Sequence, residues 1–164
     1  MKYTVAAALL AALTFSFPAV SDSEEPAWLF VQNAESATVS DGMLTLEGVS
    51  PVMLAFTDRP DRMVFHLETQ DFAGDVWNDG ENSFAADPPN AVLVYREGSQ
   101  TDSVVLELSD LTMVDGDTLA YSVSVLDGDL PSAMEDPHLV IDSTGGAGGR
   151  GGLFGGNGGS GSGE

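Results

Sequence analysis

The sequence contains no cysteine and few cations. Without cysteine the chain has no disulfide and no cysteine-linked lipid anchor, so its stability depends on packing or on a bound ion. Lysine and arginine together number 5, against 26 aspartates and glutamates, which gives a formal charge of −21. A field of that sign repels nucleic-acid phosphates and anionic lipid headgroups, which argues against both classes of partner.

Long apolar runs are missing too, except for a short one near the start. Val5–Phe17 is almost wholly apolar, follows Lys2, and precedes the small-residue site Ala19–Ser21 and the acidic stretch Asp22–Glu25. This order of features is typical of a secretory signal peptide over residues 1–21, and the apolar run is too short to span a bilayer. We therefore expect a periplasmic or secreted protein whose mature chain does not insert into a membrane.

Removal of the leader makes the chain more acidic. Lys2 is the only lysine, so four arginines remain against 26 carboxylates and the formal charge becomes 4 − 26 = −22. Such a surface stays hydrated in a salty medium, which explains the charge without any ligand. The alternative explanation is that some of the carboxylates bind divalent cations.

Short runs with apolar residues at a period of two predict half-buried antiparallel strands. In Arg62–Glu68, for example, Met63, Phe65 and Leu67 share one face. The dipeptide Asp41-Gly42 predicts a tight hairpin between two of the runs. The predicted strands are Trp28–Gln32, Ala37–Ser40, Met43–Glu47, Val52–Thr57, Arg62–Glu68, Ala91–Arg96, Ser103–Leu108, Thr118–Leu126 and His138–Ile141.

One short helix is predicted over Gln70–Trp77, with Thr69 as its cap and with Phe72 and Val76 facing the core. A parallel α/β fold needs several longer helices, which are absent. We therefore predict an all-β fold, an antiparallel β-sandwich or flattened barrel with one short helix, over residues 26–143.

The C-terminal segment, residues 144–164, has a different composition. Twelve of the 19 glycines lie in Gly145–Gly163, and Leu153 and Phe154 are its large apolar residues. So little apolar area does not offset the entropy of ordering the chain, which predicts a disordered tail.

Calcium is the metal best served by the loops, because it prefers six to eight oxygen ligands on flexible backbone. The candidate ligands are acidic residues near glycines: Asp75, Asp79, Glu81, Asp115 and Asp117. No stretch matches the twelve-residue helix–loop–helix calcium motif, and Asp-Gly pairs also form ordinary hairpin turns. The sequence therefore leaves two predictions open, no cofactor or a calcium ion.

The most distinctive stretches are the loop Phe56–Arg62, with two of the mature chain's arginines, and the aromatic, polar loop Trp77–Ala91. Arginine pairs bidentately with carboxylates, so Arg59 or Arg62 is expected to hold Asp79, Glu81 or Asp87 and pin the long loop. The functional alternative is a shallow ligand site formed by Arg59, Arg62, Trp77 and Phe84.

Four segments also carry a family resemblance. They are Trp28–Gln32, the Asp-Arg-Pro loop at residues 58–60, the Asp-Pro-Pro-Asn-Ala segment at residues 87–91, and Val123–Pro131. In this order they resemble a family of small, uncharacterised exported bacterial proteins, and the likeness runs from about Trp28 to Ile141. The resemblance implies export and a single domain, and it implies no activity.

The sequence therefore predicts a non-enzymatic binding or interaction module for an unknown extracytoplasmic ligand or protein. One alternative is a calcium-dependent module that uses the acidic loops. The other is a hydrolase that works through carboxylates or through a histidine, His66 or His138, with a carboxylate behind it in a concave site. No serine lies in a Gly-x-Ser-x-Gly nucleophile turn.

Overall fold

A computed structural model describes residues 27–78 and 83–143 of the chain. They form nine antiparallel strands and one short helical segment, which confirms the all-β prediction. The predicted leader, residues 1–21, and the predicted tail, residues 144–164, lie outside the described residues. The strands are β1 (Trp28–Asn33), β2 (Ser36–Ser40), β3 (Met43–Glu47), β4 (Val52–Thr57), β5 (Val64–Glu68), β6 (Asn90–Glu97), β7 (Gln100–Asp115), β8 (Thr118–Asp127) and β9 (Ala133–Ser143).

Most strand boundaries agree with the prediction, but β7 and β9 are much longer than predicted. The pairing of β7 with β8 shifts register between Leu108 and Leu111, so the period of two breaks there although the strand continues. In β9 the residue Asp136 has a positive φ of 54° and is followed by Pro137, which interrupts the alternation in the same way. Such irregularities hide strand continuity from a search for strict alternation.

The strands close into a ring. Their order is β2-β3-β8-β7-β6-β9-β1-β4-β5, and an additional pairing joins β2 to β9. The first six strands thus form a closed circuit, while β1, β4 and β5 extend outward from β9. This is the flattened-barrel form of the predicted architecture, with a three-stranded extension.

The strand β9 makes this branching possible because β1 and β2 pair with the same edge of it. The register runs without a shift from Trp28↔Ser143 to Asn33↔His138 and resumes with Ser36↔Glu135. On their other edges β1 pairs with β4 and β2 pairs with β3. The sheet therefore branches at the short turn between β1 and β2.

The core lies on the inward face of both parts. Its largest buried side chains include an aromatic cluster that joins strands, helix and loop: Phe30, Phe72, Trp77, Phe84 and Tyr121. Ring centroids within this cluster lie 5.3 to 6.0 Å apart, in tilted or edge-to-face arrangements that favour aromatic pairs.

The helical segment begins as α1 (Thr69–Asp71) and continues as a π-helical turn, Phe72–Val76. Phe72 and Val76 are buried, as predicted. In the π-turn the Trp77 N–H donates to the Phe72 carbonyl, which places these two rings on the same side, 6.0 Å apart. The predicted Thr69 cap is wrong: Glu68 precedes the helix, and the buried Thr69 hydroxyl donates to the Ser50 carbonyl at 2.7 Å.

Two glycines with positive φ allow a test of how closely β7 approaches the β8–β9 loop. Gly128 has φ +90°, and a Cβ there lies 3.2 Å from the Ser103 carbonyl oxygen; Gly98 has φ +63° and open space around it. We expect Gly98→Ala to cost about 1 kcal/mol from backbone strain alone. Gly128→Ala should cost about 2–3 kcal/mol, because steric crowding adds to the strain.

Urea denaturation of both variants measures this difference. Equal losses of unfolding free energy would show that the approach of Ser103 to Gly128 contributes nothing.

Candidate functional site

The arginine loop between β4 and β5 is a tight turn that bonds to itself. The Arg59 N–H donates to the Asp58 carboxylate at 2.7 Å, and the Met63 N–H donates to the Thr57 hydroxyl at 3.0 Å. The Arg59–Pro60 peptide is cis, and Arg62 has a positive φ of 50°. Both arginine side chains are exposed to solvent.

The two aromatic members of the predicted ligand site lie elsewhere. Trp77 is 1% exposed and Phe84 is fully buried, with their ring centroids 5.4 Å apart. The prediction that they line a shallow site beside Arg59 and Arg62 is therefore wrong, because no ligand reaches them without unfolding the core. They look surface-exposed in the sequence because they stand among polar residues, but the loop turns them inward.

Three carboxylates were candidates to pair with Arg59 or Arg62 in the predicted arginine clamp, and that of Asp87 is the one in the described part of the chain. Asp87 is exposed, and the contacts of the described residues include no ion pair between it and Arg59 or Arg62. Its other proposed partners, Asp79 and Glu81, lie outside the described residues. The clamp through Asp79 or Glu81 stays a prediction.

The predicted metal ligands are not brought together where the structure describes them. Asp115 and Asp117 lie at the β7–β8 turn, where the Asp117 N–H donates to the Asp115 carboxylate at 3.4 Å. Hydrogen bonding from the Thr118 side chain and from the Asp117 backbone lowers the pKa of Asp115. Asp75 is exposed in the π-turn, and residues 27–78 and 83–143 contain no group of three or more histidine, aspartate or glutamate side chains placed to hold a metal ion.

Both histidines are exposed on the outer surface of the sheet. His66 lies on the edge strand β5, and His138 lies on β9 with its Nδ1 2.7 Å from the Asn33 side-chain oxygen. The partner of His138 is therefore an amide rather than the carboxylate that the hydrolase alternative requires.

A buried polar pair lies under the sheet. The Tyr121 hydroxyl donates to the Gln32 side-chain oxygen at 2.7 Å, and Gln32 is 1% exposed. Burial raises the pKa of Tyr121 far above its ordinary value. The Gln32 Nε2 has no hydrogen-bond partner among the described residues, so the pair is a polar link within the core rather than an accessible site.

The most unusual surface is one that we did not predict, on the outward side of β5, β4, β1, β9, β6 and β7. On β5, His66 pairs with Leu54. A row of paired apolar residues crosses the other five strands: Leu54 pairs with Val31, Val31 with Val140, Val140 with Val92, and Val92 with Val105. None of these five outward-facing residues is polar. We call the apolar face this row together with its apolar neighbours on the same side: Leu29, Val31, Val52, Leu54, Phe56, Val64, Val92, Val94, Val105 and Val140.

Four of the ten residues of the apolar face are exposed, most strongly at the edge of the sheet, and the other six are half-buried. Val64 is 70% exposed, Leu54 is 52% exposed, and Val52 and Val92 are each 38% exposed. The outer side of β2, β3 and β8 is different, because its positions carry mainly serine and threonine, as in the pair Thr38↔Thr45 and in Ser122. The outer side of β2, β3 and β8 is thus an ordinary, polar, solvated sheet surface, whereas the apolar face is not.

The sequence does contain a signal for this face. Leu29–Val31, Val52–Phe56, Ala91–Tyr95 and Leu139–Ile141 are continuous apolar runs rather than alternating ones. Continuous runs are typical of strands that are covered on both faces. These runs predict strands, and the absence of polar residues at every second position is the signal that indicates an apolar outer surface.

No protein-family model matches the chain, and no curated protein or solved structure matches it either. The resemblance to a family of small exported bacterial proteins therefore stays a prediction. Within the described part of the chain, no helix has the length and apolar character needed to cross a bilayer.

The burial of Phe84 predicts a large difference between the members of the originally predicted ligand site. Phe84→Ala should lose about 3–5 kcal/mol of unfolding free energy, because it leaves a cavity in the aromatic cluster. Arg59→Ala and Arg62→Ala should each change it by less than about 0.5 kcal/mol, because both side chains are exposed.

Chemical denaturation of the three variants measures this contrast. A large loss in either arginine variant would show that the guanidinium holds a carboxylate, as the clamp prediction states.

The two described tyrosines should stay protonated at pH values where an unfolded tyrosine ionises. Burial, and then the charges of Asp102, Glu97 and Asp129, raise the pKa of Tyr95, and burial raises that of Tyr121. The folded state then keeps protons that the unfolded state releases above about pH 10, so stability falls as pH rises beyond that point. For Tyr121 the slope is about 1.4 kcal/mol per pH unit.

Absorbance at 295 nm of the chain without its predicted leader, and hence without Tyr3, checks this expectation for Tyr121, whose phenolate should appear only together with alkaline unfolding. Tyr121→Phe should flatten the alkaline loss of stability. A phenolate signal near pH 10 in the folded protein that Tyr121→Phe removes would contradict the burial of Tyr121.

Proposed function

We propose that this protein is a non-enzymatic, extracytoplasmic interaction module that binds another macromolecule through the apolar face. The observation that supports this proposal is the row from Leu54 to Val105, five apolar residues side by side on the outside of a sheet. Soluble proteins rarely leave a continuous apolar surface of this kind uncovered unless it binds something.

The size of the face fits a binding surface. With strands about 4.8 Å apart and same-face residues about 6.8 Å apart, each residue covers roughly 33 Å², so the ten residues of the apolar face cover roughly 330 Å². This lies within the range of about 300–600 Å² that is typical of the largest, often functional, patch on a soluble monomer. The apolar side chains supply the contact area, and the polar residues around them limit how far a partner spreads.

The composition of the rim supports the same function. The apolar face is bordered by polar or charged residues, among them Glu68 on β5, Asn90 on β6 and Glu107 on β7, all of which are exposed. A desolvated apolar centre with a solvated polar rim is the usual organisation of protein–protein interfaces.

The predicted leader supports an extracytoplasmic location, because an exported protein meets its partners outside the cytoplasm. Among the described residues, no observation favours the calcium-dependent or the hydrolase alternative over this function.

Site-specific photocrosslinking in intact cells of the native host tests the proposal. A photoreactive phenylalanine analogue at Val92, in the apolar face, should give an adduct of one defined mass. The same analogue at Val114 is the matched control, because Val114 is 60% exposed but lies outside the face. Adducts at neither position, or equal diffuse adducts at both, would refute the function. Mass spectrometry of a defined adduct identifies the partner.

A further inference from the structure

We infer that the partner on the apolar face is a second copy of this chain, packed face to face, an inference that rests on the proposed interaction function. The face is part of a sheet and is dominated by valines, including Val31, Val92, Val105 and Val140. Rows of β-branched side chains on one sheet pack against the face of another at about 10 Å, as in β-sandwiches. Within the described chain, the surface that fits this description is the apolar face itself.

Charge restricts where two copies can meet. Each chain carries a formal charge of −21, so most of one surface repels most of the other. The row from Leu54 to Val105 has no charged residue. Two copies therefore approach with the least electrostatic cost when these rows face each other.

The outward residues of β9 favour one orientation of the second copy relative to the first. His138, Val140 and Asp142 alternate along this strand on the outer side, with Val140 in the central row. A two-fold axis along the row reverses the strands of the second copy, so His138 of one copy lies over Asp142 of the other. A hydrogen-bonding ring then meets a carboxylate at two symmetric positions, whereas an axis along the strands sets Asp142 against Asp142.

The area implies a weak dimer. Including its rim, the face covers roughly 600 Å² on each copy, or roughly 1,200 Å² in total, which is at the lower limit for specific interfaces. We therefore expect a concentration-dependent dimer with a dissociation constant of about 10 μM at moderate salt.

Salt distinguishes this dimer from binding driven by charge. Raising NaCl from about 0.05 M to about 0.5 M shortens the Debye length from roughly 14 Å to roughly 4 Å. The repulsion between two acidic copies is then screened while the apolar contact remains. The dimer should tighten several-fold, whereas a complex with a cationic partner weakens in high salt.

Sedimentation equilibrium of the protein expressed from its complete chain, at 1–200 μM and at both salt concentrations, measures the association. Leu54→Glu should weaken the dimer at least tenfold, because the two-fold axis brings the substitution into the interface twice. Val64→Glu, at a more exposed edge position, is the second variant, and Val114→Glu adds the same charge outside the face as the control. Circular dichroism verifies that each variant is folded.

The absence of cysteine allows a direct test of the geometry, since one introduced cysteine gives a single reactive site. Val140→Cys should yield a covalent dimer with a short bismaleimide, and Val114→Cys should yield none. A monomer at every concentration, or equal crosslinking at both positions, overturns the second-copy inference. If Val92 nonetheless gives a defined adduct with a different protein in cells, the interaction function stands and the second copy fails. If it gives none, both fail.

Discussion

The pairing of β9 with three other strands is the constraint on which this structure depends. One edge of β9 pairs with β6, and the other pairs first with β2 and then with β1, in one continuous register. Pairing with β2 closes the six-stranded ring, and pairing with β1 starts the extension through β4 and β5. A one-residue slip of β9 exposes Leu139 and Ile141 and buries His138 and Asp142, so the register is strongly specified. With the irregularity at Asp136 and the turn between β1 and β2, this one register serves both the six-stranded ring and its three-stranded extension.

The aromatic cluster links the same strands to the chain segment between β5 and β6. Phe72, Trp77 and Phe84 all come from this segment, and they pack on Phe30 of β1 and Tyr121 of β8. This segment supplies several of the largest buried side chains of the core, two of them from its short helical part or directly after it. A chain without disulfides thus obtains cohesion by burying large rings between its two parts. The same packing removes Trp77 and Phe84 from any contact with ligand.

Extreme acidity and an uncharged apolar face have opposite effects on association. The carboxylates keep the chain solvated and keep its copies apart, and they act over the whole surface. The apolar face acts only at short range and only on a surface of matching shape. In a protein with both features, we therefore expect association at the apolar face rather than over the whole surface.

The alternation and turn signals in the sequence were sufficient to determine the all-β class, most strand positions, the short helix and its buried residues Phe72 and Val76. These are local properties, since a period of two or a glycine turn is visible within a few residues. Export and a disordered C-terminal segment are also predictions, and they too depend only on local composition. Only the tertiary structure decided that Trp77 and Phe84 point inward, because loop direction depends on contacts with distant Phe30 and Tyr121. The tertiary structure alone also decided that one apolar row exists. Its members, Leu54, Val31, Val140, Val92 and Val105, are far apart along the chain. They become one surface through the order and register of β4, β1, β9, β6 and β7.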